Sequence, residues 1–291
     1  MSIEILFRDG VGDKEEINIA KKYFTVKTSR MSISKDSIVI GRYSVLPYYN
    51  ELCQDLNTVN SRLINSKKQH DWLEDCETWS EDLSIQNKYI PKVYSNISYL
   101  PDNKSFVLKG KTNSRKQMWN THMFARNKKD AIAVAQRLME DSLLSSQGIV
   151  AKEYMDLETF GISIGGLPIV NEWRTFWVGS EFSLKPKFIA KNYYFSNSHP
   201  EFLSKANFTE EAEECANYVA GKISEYNWAS FYSIDVAQLK GSDSWIVTDI
   251  NDGQMSGLCG IDPETFYSRL SKNKDFILGG KLSANYNTKR L

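Results

Sequence analysis

The sequence has no excess of charge of either sign, because 36 Lys and Arg residues balance 36 Asp and Glu residues in 291 positions. Proteins that bind a nucleic-acid backbone usually carry a sustained basic face, so this balance disfavours that class and leaves room for a local basic site. Hydrophobic residues make up 41% of the chain and charged residues 25%, which is ordinary for a folded globular protein and argues against disorder. The length predicts about two domains, or one large composite domain.

Cysteine is scarce and widely spaced, with four residues in all. No two of them form a CxxC knuckle, which argues against a zinc ribbon. Scattered thiols in a chain of this size are typical of a reducing compartment. The sequence also has no apolar window of about 18 residues and no apolar stretch at its beginning. We therefore expect no transmembrane helix, no secretory signal, no membrane partner and a cytoplasmic location.

Signatures of nucleophilic and zinc chemistry are missing as well. The three histidines lie far apart, and none belongs to an HExxH motif. The chain has no GxSxG motif, no GxGxxG after a strand and no Cys/His nucleophile pattern. The loop Lys111–Lys116 is polar and cationic but lacks the glycines of a Walker A loop. It would either close over phosphates or be a solvated turn.

Short apolar strands alternate with amphipathic helical stretches, a pattern that predicts an α/β or α+β layered fold. The first unit, an α/β unit, covers residues 1–95. Its predicted strands are Ile3–Phe7, Ser37–Gly41 and Arg62–Asn65, and its predicted helices are Pro47–Val59 and Gln69–Glu81.

The rest of the chain divides into a shorter mixed unit and a strand-rich unit. The mixed unit has strands at Ser105–Gly110 and Gly148–Met155, with the helix Lys128–Leu144 between them. Short connections make the strands of the last unit largely antiparallel. These strands are Pro168–Val178, Pro186–Phe195, Phe231–Leu239 and Ser244–Asn251, and the helix Thr209–Tyr226 has Thr209 as its N-cap.

Two strands of the last unit carry oxygen-bearing side chains in apolar surroundings. Asp249 and Asn251 are two residues apart on one strand, so both side chains point to the same face. Asp235 lies on the strand expected to pair with it. A carboxylate beside an amide oxygen suits a hard cation such as Mg²⁺, and buried strands do not hold such groups without a partner. The three residues predict a metal site, with an edge or turn residue as the alternative for Asp235.

Charged residues inside two other apolar strands indicate an anion site. Glu172 and Arg174 share one strand face, and Arg suits bidentate binding of phosphate or carboxylate. Lys191 on the following strand would add to this basic face. Lys109 lies in an apolar strand, where a phosphate at about 4 Å would contribute roughly 4 kcal/mol at an effective dielectric of about 20. The alternatives are an internal salt bridge for Glu172 and Arg174 and a solvated lysine for Lys109.

The end of the strand Gly148–Met155 indicates a different contact. Backbone groups of Lys152-Glu153-Tyr154-Met155 would form a hinge that reads the edge of an adenine base. Asp156 or Glu158 would then accept hydrogen bonds from ribose hydroxyls. Lys111, at the start of the polar loop, would join the phosphate contacts. An ordinary strand end is the alternative for this stretch.

The order of these pieces resembles the ATP-grasp superfamily. Lys109 matches its phosphate-binding lysine, and Lys152-Glu153-Tyr154-Met155 resembles its adenine hinge. The strand Glu172-Trp-Arg174-Thr-Phe176 resembles that of the branch that includes the eukaryotic assembly chaperone of translation initiation factor two. Ser233-Ile-Asp235-Val and Thr248-Asp249-Ile-Asn251-Asp-Gly253 are similar to the metal-binding strands of that branch. The stretch from Ile40 to Asn65 resembles the pre-ATP-grasp domain of ATP-grasp proteins found in bacteriophages.

This resemblance implies an ATP-grasp fold of the α+β class, in which two α+β subdomains clasp ATP after a small α/β pre-ATP-grasp domain. The expected units are residues 1–95, 96–155 and 156–291. It further implies that Lys109 and Arg174 stabilise the triphosphate, with Glu172 beside them, and that Asp235, Asp249 and Asn251 hold Mg²⁺. One departure is the pair Asp249-x-Asn251, because many ATP-grasp ligases have Glu-x-Asn there. A phage origin would place the protein in the host cytoplasm.

Three functions fit these features. The first is an ATP- and Mg²⁺-dependent ligase that activates a carboxylate as an acylphosphate for attack by an amine, with a peptide or protein among the candidate substrates. The second is an ATP-binding assembly chaperone or interaction module with little turnover. The third is an enzyme that modifies or ligates nucleic-acid ends, which the neutral charge disfavours.

Overall fold

A computed structural model describes residues 1–10, 13–84, 89–181 and 183–279 of the chain. Three four-stranded sheets and one two-stranded ribbon make up its β-structure. No helix in these ranges is both long and apolar enough to cross a bilayer. The mixture of helices and sheets agrees with the predicted α+β class.

The first sheet is parallel, with strand order β2-β1-β3-β4. Its strands and helices are β1 (Ser2–Leu6), α1 (Lys14–Tyr23), β2 (Thr25–Lys27), β3 (Ser37–Gly41), α2 (Tyr49–Asn57), β4 (Arg62–Leu63), α3 (Lys67–Glu74) and α4 (Cys76–Ser84). Every residue of β3 is buried, as expected for a central parallel strand that is covered on both faces. Helix α3 starts with a capping box between Ser66 and Gln69.

The helix predicted over Gln69–Glu81 is two helices that meet at Asp75. Asp75 has extended backbone angles, and its carboxylate accepts from the amides of Glu77 and Thr78 at 3.2 and 3.4 Å. An aspartate that binds the first free amides of α4 competes with the continuation of α3.

The second sheet is antiparallel, with strand order β5-β8-β6-β7. Its elements are β5 (Val93–Tyr94), β6 (Phe106–Gly110), β7 (Phe124–Ala125), α5 (Lys128–Met139), α6 (Ser142–Gln147) and β8 (Ile149–Glu153). The helix predicted over Lys128–Leu144 also ends early, at Met139. The carboxylate of Asp141 accepts from the Leu144 amide at 3.3 Å and starts the short helix α6.

The third sheet is antiparallel, as the short connections predict, with strand order β12-β11-β13-β14. Its strands are β11 (Glu172–Ser180), β12 (Ser183–Tyr193), β13 (Phe231–Gln238) and β14 (Trp245–Asp252), and helix α7 (Glu210–Glu225) packs on it. Thr209 caps α7 as predicted, because its hydroxyl accepts from the Ala212 amide at 3.3 Å. The strand predicted over Pro168–Val178 is divided: β10 (Pro168–Val170) pairs instead with β9 (Thr159–Ile162).

The C-terminal helices pack against the start of the chain. Helices α8 (Pro263–Lys272) and α9 (Lys274–Ile277) were not indicated by the sequence patterns. Phe266 and Tyr267 of α8 share a core with Ile5 of β1 and Phe176 of β11. This core joins the first and third sheets, and the candidate site lies further along the same face of the third sheet, where the second sheet faces it.

Candidate functional site

A cavity of about 310 Å³ lies between the second and third sheets, and we call it the main cavity. Its charged lining residues are four cations and four carboxylates: Lys109, Lys116, Lys152, Arg174, Glu153, Glu172, Asp235 and Asp249. Asn251, Thr248, Thr112 and Ser114 add neutral polar groups. The two sheets thus bring together side chains far apart in the sequence, such as Lys109 and Asp249, which are 140 positions apart.

Lys109 and Asp249 form an ion pair across the main cavity. The ammonium of Lys109 on β6 lies 3.1 and 2.9 Å from the two carboxylate oxygens of Asp249 on β14. Burial alone would raise the pKa of Asp249, but the ammonium groups of Lys109 and Lys152 lower it to about 2. Asp249 is therefore ionised throughout the physiological pH range.

Lys152 is the second cation beside Asp249. Its ammonium donates to the carbonyl oxygen of Thr248, and it lies 5.1 Å from the centre of the Trp79 ring. Burial and the neighbouring Lys109 lower the pKa of Lys152, although Asp249 opposes the change. The site thus holds two buried ammonium groups around one carboxylate, an arrangement that favours binding of a further anion.

Arg174 and Asp235 form a bidentate pair across strands β11 and β13. The guanidinium Nε and Nη2 donate to the two oxygens of Asp235 at 2.7 and 2.6 Å. Despite burial, this pairing raises the pKa of Arg174, so it stays charged. Asp235 is also opposite Asp249 in the register of β13 and β14. Arg174, Asp235 and Asp249 therefore form one row across the sheet.

Glu172 occupies a separate position on the same wall. It accepts a hydrogen bond from the Thr248 hydroxyl, and the salt bridge of Arg174 is made with Asp235 instead. Burial raises the pKa of Glu172, and the nearby Asp235 carboxylate raises it further. The internal Glu172–Arg174 salt bridge considered from the sequence is thus replaced by a pair between Arg174 and Asp235.

Lys116 and Tyr194 are site residues that the sequence patterns did not single out. The Lys116 ammonium donates to the Tyr194 hydroxyl at 2.7 Å and lies 4.1 Å from the centre of its ring. Burial opposes the charge of Lys116, but Tyr194 and Glu172 outweigh it and raise the pKa of this lysine. The sequence places Lys116 at the end of the polar loop. It does not reveal which of the two lysines of this loop turns into the main cavity.

The predicted hinge also lines the main cavity, beside an apolar wall. Glu153, Tyr154 and Met155 face side chains that suit a flat aromatic ligand: Val107, Trp119, Met123, Leu167, Val170 and Ile246. The amides of Glu153 and Tyr154 already donate to the carbonyls of Lys92 and Ser105, at 2.9 and 2.8 Å. Recognition of a base edge here would therefore depend on the backbone carbonyl groups of the hinge and on the backbone amide of Met155.

Four of the residues predicted to bind the ligand are not brought to the main cavity, and Glu158 is one of them. Lys191 is opposite Thr175 in the strand register, so it points to the face opposite Arg174 and lies 3.7 Å from the Phe208 ring centre. The Asp156 side chain is 65% exposed and pairs with Lys240. Lys111 pairs with Asp75 at 2.7 Å and lines a neighbouring cavity instead.

A hairpin and a short helical segment cover one side of the main cavity. The turn between β9 and β10 contains Gly165 and Gly166, which both have positive φ. A Cβ at Gly165 would lie 1.9 Å from the carbonyl oxygen of Gln117, so the turn packs directly on the chain before Trp119. Trp119 and Leu167 on these two segments line the cavity.

The oxygen donors of this wall suit a magnesium ion. Asp249 is ionised, and the Asn251 side chain has no hydrogen bond to any residue in the described part of the chain. Asp235 is also an oxygen donor, but Arg174 occupies both of its oxygens. No cluster of three or more His, Cys, Asp or Glu suitable for a metal occurs among the described residues. The donor set is thus Asp249 and Asn251, and Asp235 would join it through the lone pairs that its bidentate pair with Arg174 leaves free.

Residues 99–270 match the model of a family described as "ATP-grasp domain, R-two-K clade family 3". A search of curated protein sequences found no match.

Several solved structures share the fold. An L-amino acid ligase from Bacillus licheniformis is 10% identical, with a TM-score of 0.57 over 94% of this chain and 74% of that one. The N5-carboxyaminoimidazole synthase from Aspergillus clavatus, with ADP and 5-aminoimidazole ribonucleotide, is 10% identical at a TM-score of 0.55, covering 93% and 77%. A RimK domain ATP-grasp protein from Sphaerobacter thermophilus is 12% identical at 0.54, covering 95% and 100%.

Proposed function

Because the chain belongs to this clade of the ATP-grasp domain family, we propose that it is an ATP- and Mg²⁺-dependent carboxylate–amine ligase. The observation that carries the proposal is the Lys109–Asp249 pair inside the main cavity. In this pair, Lys109 of the second sheet would bind phosphate, and Asp249 of the third sheet would bind the metal ion. Two of the structures with this fold are named as a ligase and a synthase, which supports the reaction class.

The charged residues supply what phosphoryl transfer to a carboxylate needs. Lys109, Lys116, Lys152 and Arg174 would neutralise the phosphate oxygens, and Asp249 and Asn251, with Asp235, would hold Mg²⁺. The ion would neutralise charge on the phosphates during transfer. Lys109 has a ready partner in Asp249 before the nucleotide arrives, so neither charge is buried alone in the free protein.

The apolar wall would take the base. Tyr154 packs edge-on against Phe124, with ring centres 5.0 Å apart, and this contact fixes one side of the hinge. The segment with Trp119 and the turn at Gly165 would cover the base and exclude water. Asp156 and Glu158 would reach a ribose only after the chain beyond Met155 moves, since Asp156 is exposed.

Narrower proposals accompany this one. On the basis of the strands around Arg174, Asp235 and Asp249, we propose that the chain is related to the phage-type branch and to the initiation-factor assembly chaperone. A phage origin would place the protein in a host cytoplasm. We also propose that residues 1–95 act as a pre-ATP-grasp domain and that 96–155 and 156–291 clasp the nucleotide. Lys111 and Lys191 would not contact phosphates in this arrangement.

Product analysis tests the reaction class. The purified protein is incubated with Mg²⁺, ATP and mixtures of carboxylates and amines, and ADP, AMP and phosphate are quantified. We expect ADP and phosphate in equal amounts, dependent on both co-substrates, and loss of this activity in Lys109→Met. Lys185→Met, an exposed lysine change on β12, is the matched control. AMP and diphosphate as products would contradict the proposal, and so would ADP release indifferent to the co-substrates.

A further inference from the structure

A further cavity, of about 660 Å³, lies at the opposite end of β11 from Arg174, and we call it the aromatic cavity. Gly179 and Ser180 at the end of β11 line it, whereas Glu172 and Arg174 at the beginning of that strand line the main cavity. Among the described residues, no residue lines both cavities. The volume lies within the range of roughly 300–1,000 Å³ that sites for small organic ligands have.

Three stacked aromatic rings form one wall of the aromatic cavity. Trp228 stacks on Trp72 with ring centres 5.0 Å apart and on Tyr226 with centres 4.6 Å apart, at interplanar angles of 17° and 19°. Trp72 is 8% exposed, whereas Tyr226 is 57% exposed. Packing explains the contact between Trp72 and Trp228, which joins α3 to the turn after α7. Tyr226 adds little burial to this contact and offers an open ring on which a flat ligand can stack.

Hydrogen bonds hold the turn that carries Tyr226 and Trp228 against α3. Asn227, between the two aromatic residues, has a left-handed backbone with a φ of 53°. The side-chain amide of Gln69 on α3 donates to the backbone carbonyl of Asn227 at 3.3 Å and to the Ser230 hydroxyl at 3.0 Å. A wall that is already fixed in the free protein lowers the entropy that a ligand loses when it binds.

Two cations line the aromatic cavity from one segment of the N-terminal unit. They are Arg62 at the start of β4 and Lys68 in the first turn of α3. Neither forms a salt bridge with a residue in the described part of the chain. A lysine in the first turn of a helix opposes the macrodipole, so helix stability does not explain Lys68. The two cations therefore suit an external anion.

Two carboxylates line the aromatic cavity from other segments. Asp82 of α4 accepts from the Trp72 indole at 2.8 Å, and Glu181 follows β11 and is exposed. Carboxylate oxygens accept hydrogen bonds from hydroxyl groups, and each has more than one lone pair. The cavity thus combines an open aromatic ring, a pair of cations and acceptors for hydroxyl groups, which match the base, the phosphate and the sugar of a nucleotide.

We propose that the aromatic cavity is a second nucleotide site, which binds a free nucleoside monophosphate. Its base stacks on Tyr226, and its phosphate pairs with Arg62 and Lys68. Its sugar hydroxyls donate to Asp82 or Glu181. A terminal phosphate carries close to two negative charges at neutral pH, which two cations match. The ligand contacts the N-terminal unit and the end of β11, so its binding stabilises the contact between the first and third sheets.

A free nucleotide suits this cavity better than a nucleic-acid strand. Binding of a strand needs a basic face that continues beyond a single site, but the chain has 36 cationic residues against 36 carboxylates. The cavity offers one open stacking ring, Tyr226, whereas sites for strands stack successive bases on several rings. The inference does not rest on the proposed ligase function, because the main cavity contributes no residue to the aromatic cavity.

Calorimetry on the full-length protein tests the stacking contact. Mg²⁺ and the ATP analogue AMPPNP are present in excess, and AMP, GMP, CMP and UMP are titrated, each beside its nucleoside. We expect Tyr226→Ala to weaken the monophosphate that binds best, and its nucleoside, by roughly tenfold to a hundredfold. Tyr226→Phe keeps the ring and should bind like the wild type. Tyr99→Ala is the matched control, because Tyr99 is 77% exposed and lies outside the cavity.

Lys68→Gln tests the phosphate contact separately. We expect this variant to bind the monophosphate roughly tenfold more weakly and to bind the nucleoside as the wild type does, because only the phosphate loses a charged partner. Arg62→Gln should show the same selectivity. Lys35→Gln, which changes an exposed lysine of the same unit, is the matched control. An equal loss of nucleoside and monophosphate in Lys68→Gln would overturn the assignment of the phosphate.

The remaining outcomes decide between this cavity and other ligands or sites. The inference is overturned if the wild type binds no monophosphate at millimolar concentration. It is also overturned if Tyr226→Ala binds the monophosphate as tightly as the wild type, because the ligand then lies elsewhere. Tighter binding of a short single-stranded oligonucleotide would make the ligand a strand and overturn the inference too. If AMPPNP fails to bind, the proposed ligase function is wrong, and the variants at Tyr226 and Lys68 still decide this inference.

Discussion

Lys109 and Asp249 each carry a charge within an apolar strand. Such a charge needs a partner, and the sequence predicts an external one for each, a phosphate for Lys109 and a metal ion for Asp249. The structure pairs them with each other at 2.9 Å. Strand alternation predicts the face of a side chain, but it carries no information on which side chain of another sheet will meet it.

Lys109→Ala separates a ligand-binding role from a structural one. Lys152 stays next to Asp249 in this variant, so the carboxylate keeps a cation. We expect nucleotide affinity to fall by roughly tenfold to a hundredfold, while the free protein stays close to wild-type stability because Lys152 still compensates the charge of Asp249. Calorimetry and urea denaturation measure the two quantities. A loss of stability of several kcal/mol with unchanged affinity would mean that the pair is structural.

Lys152→Met should move stability and binding in opposite directions. Burial lowers the pKa of Lys152, which means that its charge is costly in the free protein. Methionine fills similar space without that cost, so we expect a higher melting temperature and weaker nucleotide binding. Differential scanning calorimetry with and without Mg·AMPPNP reports both. A lower melting temperature in the free variant would show that Lys152 stabilises the fold.

Glu172→Gln tests the electrostatics of the same wall through pH. Burial raises the pKa of Glu172, so the folded state binds a proton in a range where the unfolded chain has lost it. Stability from this group is present below its unfolded pKa of about 4.3 and is lost as pH rises through its folded pKa. We therefore expect the wild type to lose stability over that range relative to Glu172→Gln. Parallel curves for the two proteins would contradict the assignment.

At the scale of elements, strand positions were easier to predict than helix ends. Strands β3, β6 and β14 lie within one residue of their predicted bounds because apolar runs mark buried strands clearly. Helices α3 and α5 end earlier than predicted, before Asp75 and Asp141, whose carboxylates cap the next helix. Helix α8 was missed although Asp262 and Pro263 begin it, a start signal that the apolar patterns overlooked.

Gly165→Ala tests whether the β9–β10 hairpin covers the nucleotide. The new Cβ would meet the Gln117 carbonyl oxygen at 1.9 Å, so the turn must lift from the segment that leads to Trp119. We expect nucleotide affinity to fall on the order of tenfold. Separately, the positive φ costs the folded variant about 1–3 kcal/mol of stability. Gly241→Ala is the matched control, because Gly241 also has positive φ but open space around it. Equal affinities in the two variants would exclude a covering role.

At the scale of the whole molecule, the sequence patterns do not reveal how the first sheet contacts the third. Asn65 illustrates this, since its side chain bonds the backbone of Phe231 and the carboxylate of Asp252, far along the sequence. Such contacts join the first sheet to the end of β14, directly beside Asn251. They place the N-terminal unit against the site, which the amino-acid patterns of residues 1–95 do not reveal.

The central claim is that Asp249 and Lys109 belong to one Mg·ATP site. Calorimetric titration of AMPPNP with and without Mg²⁺, into the wild type and Asp249→Asn, tests it most directly. We expect tighter binding with Mg²⁺ in the wild type and no Mg²⁺ effect in the variant, whose fold is checked by circular dichroism. Because the pKa of Asp249 is about 2, the wild-type effect should persist from pH 8 down to about pH 5. An equal Mg²⁺ effect in the folded variant would contradict the claim.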